Sequence, residues 1–288
     1  AFGEAGQDRQ PQPDPPQARL AGIVDAALQA ALEALIGEQG LAKHAAAGRL
    51  ALGLVDISDL ESPRFAAVNP DQMMYAASLP KIAILLGAFV KIASGELVRD
   101  EALQADMVAM IRYSDNRAAT RVLERVGRQD LIDTLTSERF RLYDPAANGG
   151  LWVGKDYAQG GAYQRDPLHQ LSHGATVRQV ARFFYLLARG ELVGEPYDSE
   201  MKRILAEPGI EHKFVAGLAQ RPEARLYRKS GTWRSYHADA ALVEAGGHAY
   251  IIVGLARHAR GGEWLARLAA PMHDLVIAMP DTRVHGSD

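Results

Sequence analysis

The stretch MMYAASLPKIAILLGAFVK, Met73 to Lys91, constrains the fold more than any other. Ile82 to Val90 form the longest uninterrupted apolar run in the chain, and that run is too short to span a bilayer. It reads as the central core helix of a soluble protein. Yet a serine and a lysine, Ser78 and Lys81, stand three positions apart at its start. Burying an amine and a hydroxyl costs free energy unless both have partners or a task. Pro80 suits the first helical turn, where its missing N–H is no loss, which places Ser78 at the helix N-terminus. Positions three apart share a helix face, so the Lys81 amine is expected beside the Ser78 hydroxyl. A neutral lysine there can take the serine proton, while free N–H groups of the first turn favour developing negative charge. Taken alone, Ser-x-x-Lys is common and reads more simply as a capping serine followed by a lysine whose amine reaches outward.

The remaining chain bounds the possibilities. Its 288 residues at 48% hydrophobic content suit one large domain or two closely joined subdomains. A net charge of -3, with 32 basic and 35 acidic residues intermixed, makes no electrostatic case for nucleic acid. The basic stretch ARHARGG, Ala256 to Gly262, reads as a solvated turn. With no cysteine, a disulfide framework, thiolate metal sites and a cysteine nucleophile are all excluded. Residues 1–17, rich in Pro, Gln and Asp, read as a disordered linker of the kind left after removal of an export signal, so a periplasmic or secreted location is expected.

Periodicity outlines the elements. From Ala18 apolar residues recur at helical spacing until Gly37 and Gly40, and Gly48 to Asp59 alternates like a strand. The segment RFAAVNPDQMMYAAS reads as a second strand turning into the buried helix. Signals between Gly87 and about Leu192 are mainly helical, except over Tyr143 to Gly174, where six glycines favour a loop. After Pro222 come three strands, ARLYRKSG, YHADAALVEAGG and HAYIIVGLARH, and then a last amphipathic helix, GEWLARLAAPMHDLVIAM. The expected fold is therefore α+β. An antiparallel sheet subdomain, about 18–60 plus 210–288, is flanked by the terminal helices, and a helical subdomain, about 61–209, is inserted into it. The cleft between the two is the expected site.

Two further motifs belong to that cleft. Ser114-Asp115-Asn116 lies between two helical segments, where Asp and Asn beside a serine are also ordinary capping chemistry. Lys229-Ser230-Gly231-Thr232 closes a late strand, and a glycine there lets another backbone or a ligand approach closely.

Taken together and in this order, Ser-x-x-Lys, Ser-Asp-Asn and Lys-Ser-Gly resemble the motif set of class A β-lactamases and the related penicillin-binding proteins, whose third motif is commonly Lys-Thr-Gly. The resemblance covers nearly all of Ala18 to Met279. It implies that Ser78 is the acylated nucleophile, Lys81 its proton partner and Ser114 the relay to the leaving nitrogen. Asn116 would bind a substrate amide. Lys229, with Ser230, Gly231 and Thr232, would form the edge that receives the substrate carboxylate. The backbone N–H groups of Ser78 and Thr232 would form the oxyanion hole. Two nearby lysines also disfavour each other's charged form, a route by which Lys81 becomes a base.

One departure stands out. Class A β-lactamases activate their hydrolytic water with a loop glutamate, and the corresponding segment here, 142–175, contains none. Asp166, followed by Pro167, is the nearest substitute for positioning water, with Asp156 a weaker one. His169 and His173 are four apart but lack a metal-binding pattern, so no metal and no cofactor are expected. Trp152, Tyr157 and Tyr163 either cover the cleft or anchor the long loop. Trp233, Arg234 and Arg225 are candidate neighbours of the substrate. The resemblance implies a monomeric serine hydrolase acting on β-lactams, with slow or atypical deacylation, and neither nucleic acid nor membrane as partner. The alternatives are a D-Ala-D-Ala peptidase or amidase acting on peptidoglycan-type peptides, and a β-lactam-binding protein without efficient turnover.

Overall fold

The computed structural model describes Leu20 and residues 22–278; the linker expected over 1–17 lies outside the described residues. Helix α1 (Ala26–Glu38) and the short α2 (Ala42–Ala46) lead into strands β1 (Leu50–Asp56) and β2 (Arg64–Val68). After the two-residue strand β3 (Met74–Tyr75) come α3 (Lys81–Ala93), α4 (Glu101–Arg112), α5 (Asn116–Val126) and α6 (Arg128–Thr136). Short strands follow, β4 (Tyr143–Asp144), β5 (Gly149–Gly150), β6 (Trp152–Val153) and β7 (His173–Ala175), then α7 (Val177–Ala188), α8 (Tyr197–Leu205) and α9 (Phe214–Gly217). The chain closes with β8 (Arg225–Trp233), β9 (Tyr236–Ala245), β10 (His248–Arg257) and α10 (Gly261–Ile277).

The main sheet is antiparallel and five-stranded in the order β2-β1-β10-β9-β8, so the first and last parts of the chain pair through β1 and β10. Both of its faces are covered. Alternate β1 residues serve different cores: Leu50, Leu52 and Leu54 pack with α1 and α10, while Ala51 and Val55 join the core of the helical block. That is the two-residue period of a strand buried on both sides. The apolar run of α3 is buried as its composition demands, with every residue from Lys81 to Phe89 below the surface. Because β8 is an edge strand, its outer side is free to face the start of α3.

Three differences from the sequence reading have local causes. Helix α1 starts at Ala26 and not near Ala18, because the Asp25 side chain accepts the Leu28 amide at 2.8 Å and caps it there. Helices α8 and α9 occupy a segment that gave no clear periodic signal. The segment 143–174 is more ordered than a glycine-rich loop suggests, since β6 and β7 pair with β3 in a second sheet. Its glycines serve close approach: a Cβ on Gly154 would lie 1.7 Å from the Gln164 carbonyl oxygen. Among the described residues, no helix is long and apolar enough to cross a membrane.

Candidate active site

Ser78 sits in a tight turn just before α3. The Leu79 amide donates to Ala76 O at 3.0 Å and the Lys81 amide to Ser78 O at 3.2 Å. Pro80 takes the cap position and no side chain caps the helix, so the Ser78 hydroxyl is not spent on capping. Ala77, immediately before it, holds a left-handed backbone with φ +49°. Ser114 does the same at φ +57°. Each such residue costs on the order of 1–3 kcal/mol, and strain of this kind collects where geometry serves a function.

The three motifs converge. The Lys81 amine, fully buried, donates to Ser114 O at 2.7 Å and to Asn116 Oδ1 at 2.8 Å, and lies 3.2 Å from Ser114 Oγ. None of these bonds goes to Ser78, so the contact expected from the three-residue spacing is replaced by one to the second motif. The set suits a neutral amine, whose two N–H groups serve the two oxygens that can only accept, leaving its lone pair toward a hydroxyl. Burial pushes the Lys81 pKa down to about 7, against a smaller opposing pull from Asp115. Asp115 itself caps α5 by accepting the Ala118 amide at 2.7 Å. The middle motif therefore caps a helix and serves the site at once.

Lys229, on β8, is 1% exposed, and its amine donates to Ser114 Oγ at 3.0 Å and to Ser230 O at 2.6 Å. Burial first, then the neighbouring Lys81, hold its pKa well below the usual lysine value. Gly231 explains how β8 comes so near. A Cβ there would lie 2.3 Å from Ala76 O and 2.7 Å from the backbone nitrogens of both Ser78 and Leu79. Only hydrogen fits in that gap.

Two residues that belong to no motif complete this edge. Lys213 is buried and donates to Gly231 O at 2.6 Å, Thr232 Oγ1 at 2.7 Å and Ala238 O at 3.2 Å. Burial lowers its pKa to about 8. His212, next to it, has Nε2 3.1 Å from Ser230 Oγ. Beneath them Arg228 and Asp239 form a buried two-pronged ion pair at 2.7 and 2.8 Å, the carboxylate that offsets this crowd of cations. Neither Lys213 nor His212 carried a sequence signal, because the EHKF segment is joined to β8 only in space.

The loop residues divide. Asp166 is fully buried. It accepts the Tyr143 hydroxyl at 2.9 Å and the amides of Leu168, His169 and Leu171 at 3.2, 2.9 and 2.6 Å. Three of these contacts fall on Oδ1 and one on Oδ2, so the carboxylate closes its own turn. Asp156 is forked onto Arg128 at 2.8 and 2.6 Å. Trp152 and Tyr163 anchor the loop through Gln164 O at 2.9 Å and Val153 O at 3.1 Å. Tyr157 covers the site instead: its ring centroid lies 4.6 Å from the Lys81 amine and its hydroxyl donates to Ala77 O at 2.8 Å. His173 stacks on that ring at 4.2 Å, while His169 lies apart on Asn148. Arg225 sits at the far end of β8 from Thr232, about 23 Å away at strand spacing. Arg234 stacks on the exposed Trp233, which also meets Tyr75 at 5.4 Å.

Comparison with known proteins bears on the family and the fold. A family described as the beta-lactamase enzyme family matches residues 28–108 and 102–274. No curated protein matches the sequence. Among solved structures, PBP-A is similar at 18% identity and TM-score 0.63, over 86% of this chain and 94% of its own. A beta-lactamase from Sphaerobacter thermophilus DSM 20745 is similar at 14% identity and TM-score 0.65, over 89% and 99%. A PBP-A variant, solved as its acyl-enzyme complex with penicillin G, shares 19% identity and TM-score 0.61, over 86% and 94%. At these identities the structures establish the shared fold.

Proposed function

Because this chain belongs to the β-lactamase enzyme family, we propose that it is a serine hydrolase acylated by β-lactams at Ser78 and slow to release the acyl group. The observation that carries this reading is the Ser114 hydroxyl, held between the amines of Lys81 and Lys229 at 3.2 and 3.0 Å. Neutral Lys81 takes the Ser78 proton, directly or through Ser114, as the serine oxygen attacks the lactam carbonyl carbon. Negative charge gathers on the carbonyl oxygen, where the amides of Ser78 and Thr232 receive it. The carbon–nitrogen bond then breaks. Ser114 passes a proton from the lysine to the leaving nitrogen, and the ester on Ser78 remains.

Substrate recognition follows from the spare donors. Asn116 gives its oxygen to Lys81, which leaves its side-chain N–H₂ for a substrate amide carbonyl. Ser230, Thr232 and the positive potential of Lys213 suit a carboxylate.

Slow release rests on the loop. Asp166 and Asp156 are both occupied, and Tyr157 covers the loop side of Lys81. The same observation favours the second reading, a peptidase or β-lactam-binding protein that the drug traps. Incubation with a chromogenic β-lactam, followed by colour release and intact mass, tests the proposal. A burst of one equivalent with a lasting mass increase, absent from Ser78→Ala, is the expected result. Full-stoichiometry labelling of Ser78→Ala would refute the nucleophile assignment, and steady turnover without adduct would refute slow release.

A further inference from the structure

His212 lies in the segment between α8 and α9, where its role is set by β8. Its carbonyl accepts from Arg228 Nη2 at 3.0 Å, and Arg228 is itself fixed on Asp239. The partly buried imidazole thus reaches Ser230 from a held backbone, with Nε2 3.1 Å from an Oγ whose residue is only 4% exposed. The charged groups around it are Lys213 beside it in the chain, Arg228 and Lys229 on β8, and Asp239 on β9. Burial first, then these cations, lower the His212 pKa to about 4, so the ring is neutral near pH 7.

A neutral imidazole has one N–H and one lone pair, and which nitrogen carries the proton decides what Ser230 can do. With the proton on Nδ1, Nε2 accepts the Ser230 hydroxyl proton and that hydroxyl has nothing left to donate. With the proton on Nε2, the ring donates to Oγ and the hydroxyl proton is free to turn toward an anion in the cleft. The neighbouring hydroxyl supplies the precedent. Lys213 donates to Thr232 Oγ1 at 2.7 Å and to two carbonyls besides, which uses all three protons of an ammonium group. Thr232 is therefore held from behind by a donor, and its own proton is released.

We propose that His212 is a positioning residue for anionic substrates, its Nε2–H donating to Ser230 Oγ so that the Ser230 hydroxyl is committed to donating toward the substrate carboxylate. Ser230 and Thr232 then present a matched pair of hydroxyl donors, each held from behind by an N–H donor of His212 or Lys213. The proposal rests on the reading of β8 as the carboxylate-binding edge.

Two measurements test it separately. Nitrogen-15 NMR of histidine-labelled protein, with the His212 signals identified by their loss in His212→Gln, should show Nε2 protonated and Nδ1 bare at pH 7. Protonation on Nδ1 would overturn the proposal, and this readout does not depend on any substrate. In acylation kinetics, His212→Ala should raise the half-saturating concentration of a carboxylate-bearing β-lactam about tenfold, the scale of one hydrogen bond to a charged group, with the limiting rate within twofold. His212→Gln, whose amide can donate from a similar position, should recover most of that loss. The methyl ester of the same β-lactam should respond to neither variant. An equal loss on acid and ester would reduce His212 to a structural role, whereas no acylation of the unaltered protein would refute the hydrolase reading and leave the NMR result to decide the tautomer.

Discussion

Lys81 and Lys229 meet at one oxygen, their amines 3.2 and 3.0 Å from Ser114 Oγ. Two buried ammonium groups this close repel each other across a medium that screens poorly. Burial is the larger cause at both amines, and it brings Lys81 to a pKa of about 7, so the pair is set to give up a proton near neutrality. Lys81 has the lone pair placed to use that change, while burial first and Lys81 second hold the Lys229 pKa well below the usual lysine value as well.

Acylation should follow that titration. Its rate constant is expected to rise with pH around a midpoint near 7, where Lys81 loses its proton. Lys81→Met should slow acylation at least about a hundredfold and remove the rising limb. Stopped-flow or mass-resolved acylation between pH 5 and 9 checks this, and a flat profile for the unaltered protein would exclude Lys81 as the base.

Stability should carry the same signature with a definite sign. The unfolded lysine titrates near 10.5 and the folded one near 7, so between those values the unfolded chain binds the extra proton. Burying the charged form costs on the order of a few kcal/mol below pH 7, and this cost fades as pH rises toward 10.5. Urea unfolding of the protein and of Lys81→Met should thus show the difference moving in favour of the lysine from pH 6 to pH 10. A pH-independent difference would mean that Lys81 titrates normally.

Gly231→Ala should abolish acylation without unfolding the chain. The added Cβ meets only backbone, at Ala76 O, Ser78 N and Leu79 N, so β8 and the start of α3 must part. Overpacking of this sort costs roughly 1–3 kcal/mol, within what a domain of this size tolerates. Acylation at least about a hundredfold slower, with near-native circular dichroism, is the expected pairing, on the scale of losing one oxyanion donor. Normal acylation would show that the close approach is not needed.

Asp166 should prove structural. Asp166→Ala strips the Tyr143 hydroxyl and three amides of their acceptor, and about 3–5 kcal/mol of stability should go with it. Asp166→Asn keeps an oxygen and should lose less, with acylation and release rates within about threefold of the original. Its melting temperature and its deacylation rate are measured together: slower release with unchanged melting would return Asp166 to the chemistry.

Much of the site was legible because its chemistry needs particular side chains in local contexts. Ser78 and Lys81 sit on one turn, Ser114 and Asn116 at one helix start, and Lys229 with Gly231 on one strand. The contacts of Asp166 were not legible, because an aspartate before a proline looks alike whether it faces water or closes its own turn. Lys213 and His212 were not legible as site residues, and Tyr157 was legible only as one of three loop aromatics that either cover the cleft or anchor the loop. Each reaches the site from a segment with no periodic pattern, brought there by β8, by β9 or by the second sheet.

The sequence alone determined what local forces determine: an apolar α3 that has to be buried, alternating strands at both ends of the chain, and three polar motifs that such burial cannot leave idle. Tertiary structure alone decided which groups those motifs touch. The Lys81 amine binds the second motif rather than Ser78, the Asp166 carboxylate turns inward, and three cations gather over one buried Asp239. Hydrogen-bond partners and pKa values depend on distances of a few ångströms between elements far apart in the chain, and no local pattern encodes those distances.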